Sequence, residues 1–180
     1  LRLKNKLGLF EKPYKDADPE QERKLHLCED HRKLARTAAE KSFVLLKNDK
    51  ILPLDTAKKI AFIGPYTEEK HMLSSWALSG DYRDTVTIRE AAEKMMPDSE
   101  LYFCNGSPIL TPGYRLPGFE KNAPESQRCW SQEEAKELLD KAVQLAKQAD
   151  TIIMPLGEHF LQSGEAASRS ELDIPEVQME

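Results

Sequence analysis

Apolar and polar positions alternate along this chain in blocks that predict short buried strands separated by one-sided helices. Residues 1–27 are polar and interrupted by Gly8, Pro13 and Pro19, and read as an extended arm or linker with a small apolar patch at Leu7, Leu9 and Phe10. From 29 to 48, Leu34, Ala35, Ala38, Ala39, Ser42, Leu45 and Leu46 return at helical spacing and predict a helix. Asp30 is its expected N-cap, Asn48 its C-cap, and Lys47 suits the negative end of the dipole. Phe43-Val44-Leu45-Leu46 is apolar all round, so that last turn is expected to be buried. Ile51-Leu52-Pro53-Leu54 reads as a short extended piece fixed by Pro53.

Lys59-Ile60-Ala61-Phe62-Ile63 reads as a buried strand that Gly64-Pro65 ends. A long connection, 66–86, holds Trp76, Gly80 and Tyr82, and connections of that length in compact domains are usually functional or mobile. Thr87–Met96 is a predicted helix with Ile88, Ala91, Ala92 and Met95 on one face, stopped by Pro97. Leu101–Cys104 is a second strand, closed by Asn105-Gly106, and 107–129 a second long loop rich in proline and glycine. Ser131-Gln132-Glu133-Glu134 forms a capping box. It opens a helix that buries Ala135, Leu138, Leu139, Ala142, Val143, Leu145 and Ala146 and ends at Asp150. Thr151–Met154 is a third strand, ended by Pro155 and Gly157. Ile174-Pro175-Glu176 reads as the start of a further helix.

Strands alternating with helices imply an α/β fold with a mostly parallel sheet covered by helices. Right-handed crossovers place the strand C-termini along one edge, and ligands of such sheets bind outside that edge. The loops after Ile63, Cys104 and Leu156 leave from it, which brings the long loops, Trp76 and the carboxylates of the last loop to one side.

Composition narrows the chemistry. The chain has 180 residues, enough for one domain or part of a larger one, and a net charge of −5. That charge gives no reason to expect nucleic acid or an anionic membrane as partner, and no apolar run reaches the ~20 residues that span a bilayer. Cys28, Cys104 and Cys129 lie far apart without a CxxC, and the four histidines do not cluster, so no metal site and no cofactor are expected. No GxGxxG or GxxxxGK[ST] follows a strand, which weighs against a nucleotide-binding domain.

The loop after the third strand, Gly157 to Glu171, holds the candidate chemistry. Glu165 stands among the small residues Gly164, Ala166 and Ala167, which let a bulky ligand approach; Glu158 stands at the strand end, where a carboxylate more often orders the loop through backbone N–H groups. Arg169 is expected to pair with Glu171 or Asp173 rather than to neutralise the glutamates. Tyr82 and His159 read as structural or loop-surface residues, and His26 and His71 have no assignable role.

Three stretches carry a resemblance. HRKLARTAAEKSFVLLKNDKILPL (31–54), KKIAFIGP (58–65) and ADTIIMPLGEHFLQSGEAASRSELDIPEVQ (149–178) resemble, in this order and at about this spacing, the family 3 glycoside hydrolases, and in particular exported bacterial β-glucosidases. The likeness covers nearly the whole chain from about residue 30. It implies an incomplete three-layer α/β sandwich, the first part of the C-terminal domain of such an enzyme. Residues 1–28 would then be the arm that follows a TIM-like barrel carrying the aspartate nucleophile, and 29–180 the inter-domain helix and the start of the sandwich. Read from its residue type, Trp76 is foremost a partly buried aromatic that pins the long loop; by the same resemblance it is the aromatic wall of the acceptor subsite, and Glu165, rather than Glu158, is the general acid/base. The substrate implied is a terminal β-D-glucosyl residue of a glucoside or oligosaccharide, hydrolysed with retention, in a periplasmic or extracellular setting. The barrel is the implied partner, and without it the piece is expected to be inactive. An incomplete sheet also leaves an unpaired edge through which the piece is expected to self-associate. Met154-Pro155 departs from the more apolar strand end of the family. The other reading open at this point is a non-catalytic carbohydrate-binding or interaction module on the same sheet.

Overall fold

The computed structural model describes residues 1–14, 18–56, 58–73, 76–77, 80–114, 130–165 and 167–180. They form two compact units, Leu1–Leu52 and Pro53–Glu180.

The first unit is helical. The expected extended arm contains α1 (Arg2–Lys6) and α2 (Pro19–Leu25). Asp18 caps α2 by accepting from the Glu20 N–H at 2.9 Å, and Pro19 supplies a pre-set first helical position. The polarity that suggested an arm is the solvated surface of these short helices. The third helix, α3 (Glu29–Ser42), starts after Cys28 without a side-chain cap, and Asp30 sits in its first turn, where its charge suits the dipole.

α3 stops six residues before the expected end. The Ser42 hydroxyl donates back to the Ala39 carbonyl at 2.7 Å, and the aromatic and β-branched pair Phe43-Val44 that follows is a weak helix former. Phe43 is extended, and Phe43, Val44, Leu45 and Leu46 are exposed rather than buried in a last turn. Asn48 caps no helix; its Oδ1 accepts from the Ile51 and Leu52 N–H groups, both at 3.0 Å, and closes a turn.

The second unit is built on β1 (Ile60–Ile63). Parallel strands β2 (Leu101–Cys104) and β3 (Thr151–Ile153) flank it in the order β2-β1-β3. Phe62 lies opposite Phe103 on one side and Ile153 on the other, and the Phe62 and Phe103 rings stack at 5.4 Å. All four residues of β1 are buried because both its faces are covered. Ile60 and Phe62 point to one face, where α4 (Ile88–Met95) brings Ile88 and Ala92, with Met96 beside them. Ala61 and Ile63 point to the other, against Ala142, Leu145 and Ala146 of α5 (Gln132–Ala146). The architecture is the expected α/β sandwich with an open, parallel sheet.

Both helices begin with reciprocal caps: Thr87 with Glu90 for α4, Ser131 with Glu134 for α5. Met95 faces solvent, and Met96, the residue after the helix, takes the core position expected of it. Val143 is also exposed. Asp150 does not end α5. It aligns the start of β3: its carboxylate accepts from the Lys59 N–H at 3.1 Å while its own N–H donates to the Lys59 carbonyl at 2.9 Å. The expected helix at 174 is a single 3₁₀ turn, Glu176–Gln178.

Candidate active site at the C-terminal edge of the sheet

The exits of all three strands converge, and they do so through glycines and main-chain bonds. A Cβ on Gly64, after β1, would meet the Pro155 carbonyl oxygen, after β3, at 2.4 Å. The Tyr66 N–H donates to that same carbonyl at 3.3 Å. Gly106, after β2, adopts φ +71° and lies against Ile63, where a Cβ would come within 2.8 Å of the side chain.

The stem of the β3 loop is fixed from two sides. The Tyr66 hydroxyl donates to the Glu158 carbonyl. Burial, with the charge of Glu69 adding to it, pushes the Tyr66 phenol up to about 12, so it stays a donor at neutral pH. From the other side the buried Gln178 amide accepts from the Gly157 N–H at 2.9 Å. It also donates to the Gly157 carbonyl at 2.8 Å and to the Ile109 carbonyl at 2.7 Å.

Beyond the stem, His159 turns inward and is 1% exposed. Its Nδ1 accepts from the Leu161 N–H at 3.1 Å, and the Gln162 side chain accepts from the His159 N–H at 2.7 Å. This leaves the proton on Nε2, which has no hydrogen-bond partner among the described residues. Burial pulls the imidazole from 6.5 down to about 4, against the opposing pull of Glu69, so His159 is neutral at pH 7.

Glu158 and Glu165 part company here. The Glu158 carboxylate accepts from the Arg169 guanidinium, both side chains partly buried, and Arg169 also donates to the Asp173 carbonyl. Arg169 thus neutralises a glutamate, contrary to the expected pairing with an acidic side chain at 171 or 173. Among the described residues the Glu158 carboxylate is held by the arginine side chain and not, as expected, by backbone N–H groups. Glu165 is exposed, at the tip of a tight turn in which Gly164 and Ala167 pair and the Ala167 N–H donates to the Gly164 carbonyl at 3.2 Å. It does not pack inward. Its neighbour Ala166 lies outside the described residues.

A groove of ≈ 420 Å³ runs beside this loop, walled by Tyr66, Met72 and Trp76 from the β1 loop and by Glu158, His159 and Ser163 from the β3 loop. Trp76 is 63% exposed in that wall. The His71 and Tyr82 rings stack at 4.0 Å, which gives His71 a contact that spacing did not reveal. Of the second long loop, 115–129, with Cys129, lies outside the described residues. No group of three or more His, Cys, Asp or Glu able to hold a metal ion occurs among the described residues. None of their helices is long and apolar enough to cross a membrane.

The sequence of the glycosyl hydrolase family 3 C-terminal domain matches residues 43–180. The chain belongs to glycosyl hydrolase family 3. Among its relatives, the periplasmic beta-glucosidase of Salmonella typhimurium is 30% identical over 184 residues, which are 99% of this chain and 24% of that protein. A beta-xylosidase of Formosa agariphila is 31% identical over 192 residues, 100% of this chain and 23% of that protein. Among solved structures, the beta-glucosidase of Listeria innocua in complex with isofagomine superposes with a TM-score of 0.71 at 29% identity, over 98% of this chain and 21% of that one. The chain thus spans about a quarter of the curated relatives it matches. The family 3 match covers the sheet, the groove and the loop with both glutamates.

Tyr66, Gln178 and the Arg169–Glu158 pair are the parts of the site that sequence reasoning missed. The only signal for Tyr66 was its place just after Gly64-Pro65 at a strand end. For Gln178 there was none, since its partners are main-chain groups distant in the chain; for Arg169 the sequence leaves a pairing with the loop glutamates open but favours an ion pair with Glu171 or Asp173.

Proposed function

We propose that this chain contributes the general acid/base of a retaining β-glucosidase, with Glu165 as the proton donor and Trp76 as one wall of the acceptor subsite. The carrying observation is the different fate of the two glutamates. Glu158 lines the aromatic-walled groove but is tied to Arg169, whereas Glu165 is presented to solvent on a tight turn two residues after Ser163 of the groove wall. A carboxylate engaged by a guanidinium is committed to that pair and is a poor proton donor; a presented one is free to meet a glycosidic oxygen.

Retaining glycosidases need a nucleophile about 5–5.5 Å from the acid/base carboxyl. In this reading the nucleophile is an aspartate on an N-terminal barrel of the full-length protein, which closes over Glu165. The donor then protonates the departing glycosidic oxygen and later takes a proton from the water that hydrolyses the glycosyl-enzyme. Trp76 offers its ring face to the apolar face of the leaving sugar. The names of the Salmonella and Listeria relatives support glucose as the sugar; that of the Formosa relative keeps xylose as the competing one. The Salmonella relative also supports a periplasmic setting.

The test is the stereochemistry of hydrolysis. Proton NMR of an aryl β-glucoside treated with the full-length protein should show the β-anomer of glucose first. First appearance of the α-anomer, or no hydrolysis of β-glucosides and β-xylosides alike, overturns the reading.

A further inference from the structure

Among the described residues, one side chain bridges the start of the loop that presents Glu165 to its return. Arg169 donates through Nη1 to the Glu158 carboxylate, at the start of the loop, and through Nη2 to the Asp173 carbonyl, on its return. Glu158 is itself anchored, because its carbonyl accepts from the half-buried Tyr66 hydroxyl and its neighbour Gly157 is held by Gln178. The rigid sheet edge therefore reaches the loop tip in a continuous series: Tyr66 and Gln178 fix the stem, the stem carries Glu158, Glu158 holds Arg169, and Arg169 is in the same short segment as Glu165. A planar guanidinium engages two acceptors in fixed directions, which an ammonium on a flexible stem does not.

We propose that Arg169 is a positioning residue: by bridging Glu158 and Asp173 it fixes the place at which the Glu165 loop offers its carboxyl to the glycosidic oxygen. This rests on the assignment of Glu165 as acid/base. Arg169 touches no reacting atom in this role; it acts through the loop geometry. Glu158, in turn, serves as the anchor of the arginine and not as a second acid.

The chemistry supplies a readout that a merely structural arginine would not move. Displacement of a proton donor by about 1 Å costs on the order of 100-fold when the donor is needed, and little when the leaving group departs unprotonated. Arg169→Lys and Arg169→Met in the full-length protein should lower kcat/KM on alkyl or unactivated aryl β-glucosides by roughly 10- to 100-fold. On 2,4-dinitrophenyl β-glucoside they should leave it within a factor of about three. Glu158→Gln should reproduce part of that selective loss, and adding it to Arg169→Met should cost less than the product of the two single effects. Equal losses on both substrate types, as a misfolded or merely destabilised protein would give, overturn the inference. So does an unchanged ratio in Arg169→Lys, the variant that keeps the charge and so decides the matter if Arg169→Met does not fold. Glu165→Gln, run alongside, separates the two ideas. If it loses poor-leaving-group activity while the Arg169 variants lose none, only the arginine's role falls. If Glu165→Gln itself retains that activity, the acid/base assignment falls and takes the positioning role with it.

Discussion

Gly64 and Pro155 meet so closely that a single methyl group would not fit between them: a Cβ at Gly64 would lie 2.4 Å from the Pro155 carbonyl oxygen. Both residues follow strands, so this contact sets how the β1 and β3 loops leave the sheet side by side. Gly64→Ala must push one strand exit away from the other. A loss of roughly 2–3 kcal/mol in urea unfolding is expected, the usual range for overpacking against a backbone that has little room to yield. A change below about 0.5 kcal/mol would show that the two exits move apart freely.

Gln178 makes three hydrogen bonds with one buried amide, two to Gly157 and one to the Ile109 carbonyl. Gln178→Leu keeps the volume and strands those main-chain groups. The expected cost is about 2–4 kcal/mol, since buried groups that lose their partners retain their desolvation penalty. Gln178→Glu keeps the acceptor for the Gly157 N–H but loses both donors, and is expected to cost about as much. Parity of either variant with the parent in urea unfolding would contradict this account of the loop stem.

His159 gives the stability a pH signature. Its folded-state pKa is lowered from 6.5 to about 4 by burial. Between those values the unfolded chain binds a proton that the folded one refuses, so stability is fully present above pH 6.5 and falls as pH drops toward 4. The contribution is on the order of 3 kcal/mol across the window. His159→Gln, which cannot titrate, should flatten the stability profile between pH 6.5 and 4 relative to the parent. Parallel profiles for the two proteins would mean that His159 is accessible to protons in the folded state.

The repeating layout was legible because strands and helices announce themselves by period. β1 and β2 fall where their apolar runs lie, and the capping box at Ser131 forms where its sequence places it. Local patterns failed where two local preferences competed. The apolar run at 43–46 kept helical spacing, yet Phe43 and Val44 favour extended backbone and Ser42 bonds back to Ala39, so the helix stops and the run is exposed. Of the candidate site, Glu165 and Trp76 stood out by residue type beside long loops. The arrangement that distinguishes the two glutamates was not legible, because it depends on a guanidinium folding back across the loop and on a phenol and an amide arriving from the loop after β1 and the 3₁₀ turn at 176–178. Tyr66 lies 92 residues from Glu158, and spacing alone does not tell which carboxylate the guanidinium takes.

Trp76 stands exposed in the groove wall, so its removal should disturb binding and not folding. In the full-length protein, Trp76→Ala is expected to raise KM for a β-linked glucose disaccharide by about 10-fold, as loss of one ring–sugar contact of 1–2 kcal/mol would. KM for an alkyl glucoside with a small leaving group should change by less than about 3-fold, because that group does not reach the ring. Equal changes on both substrates would place the indole away from the leaving sugar.

The measurement that bears most directly on the whole account compares Glu165→Gln and Glu158→Gln in the full-length protein, on a poor and an activated leaving group. The account predicts that Glu165→Gln loses about 100-fold or more in kcat/KM on an alkyl β-glucoside and little on 2,4-dinitrophenyl β-glucoside. Glu158→Gln, which removes no proton donor and only slackens the arginine, should lose much less on the alkyl substrate. The reverse order, with Glu158→Gln abolishing the slow reaction and Glu165→Gln sparing it, would contradict the account.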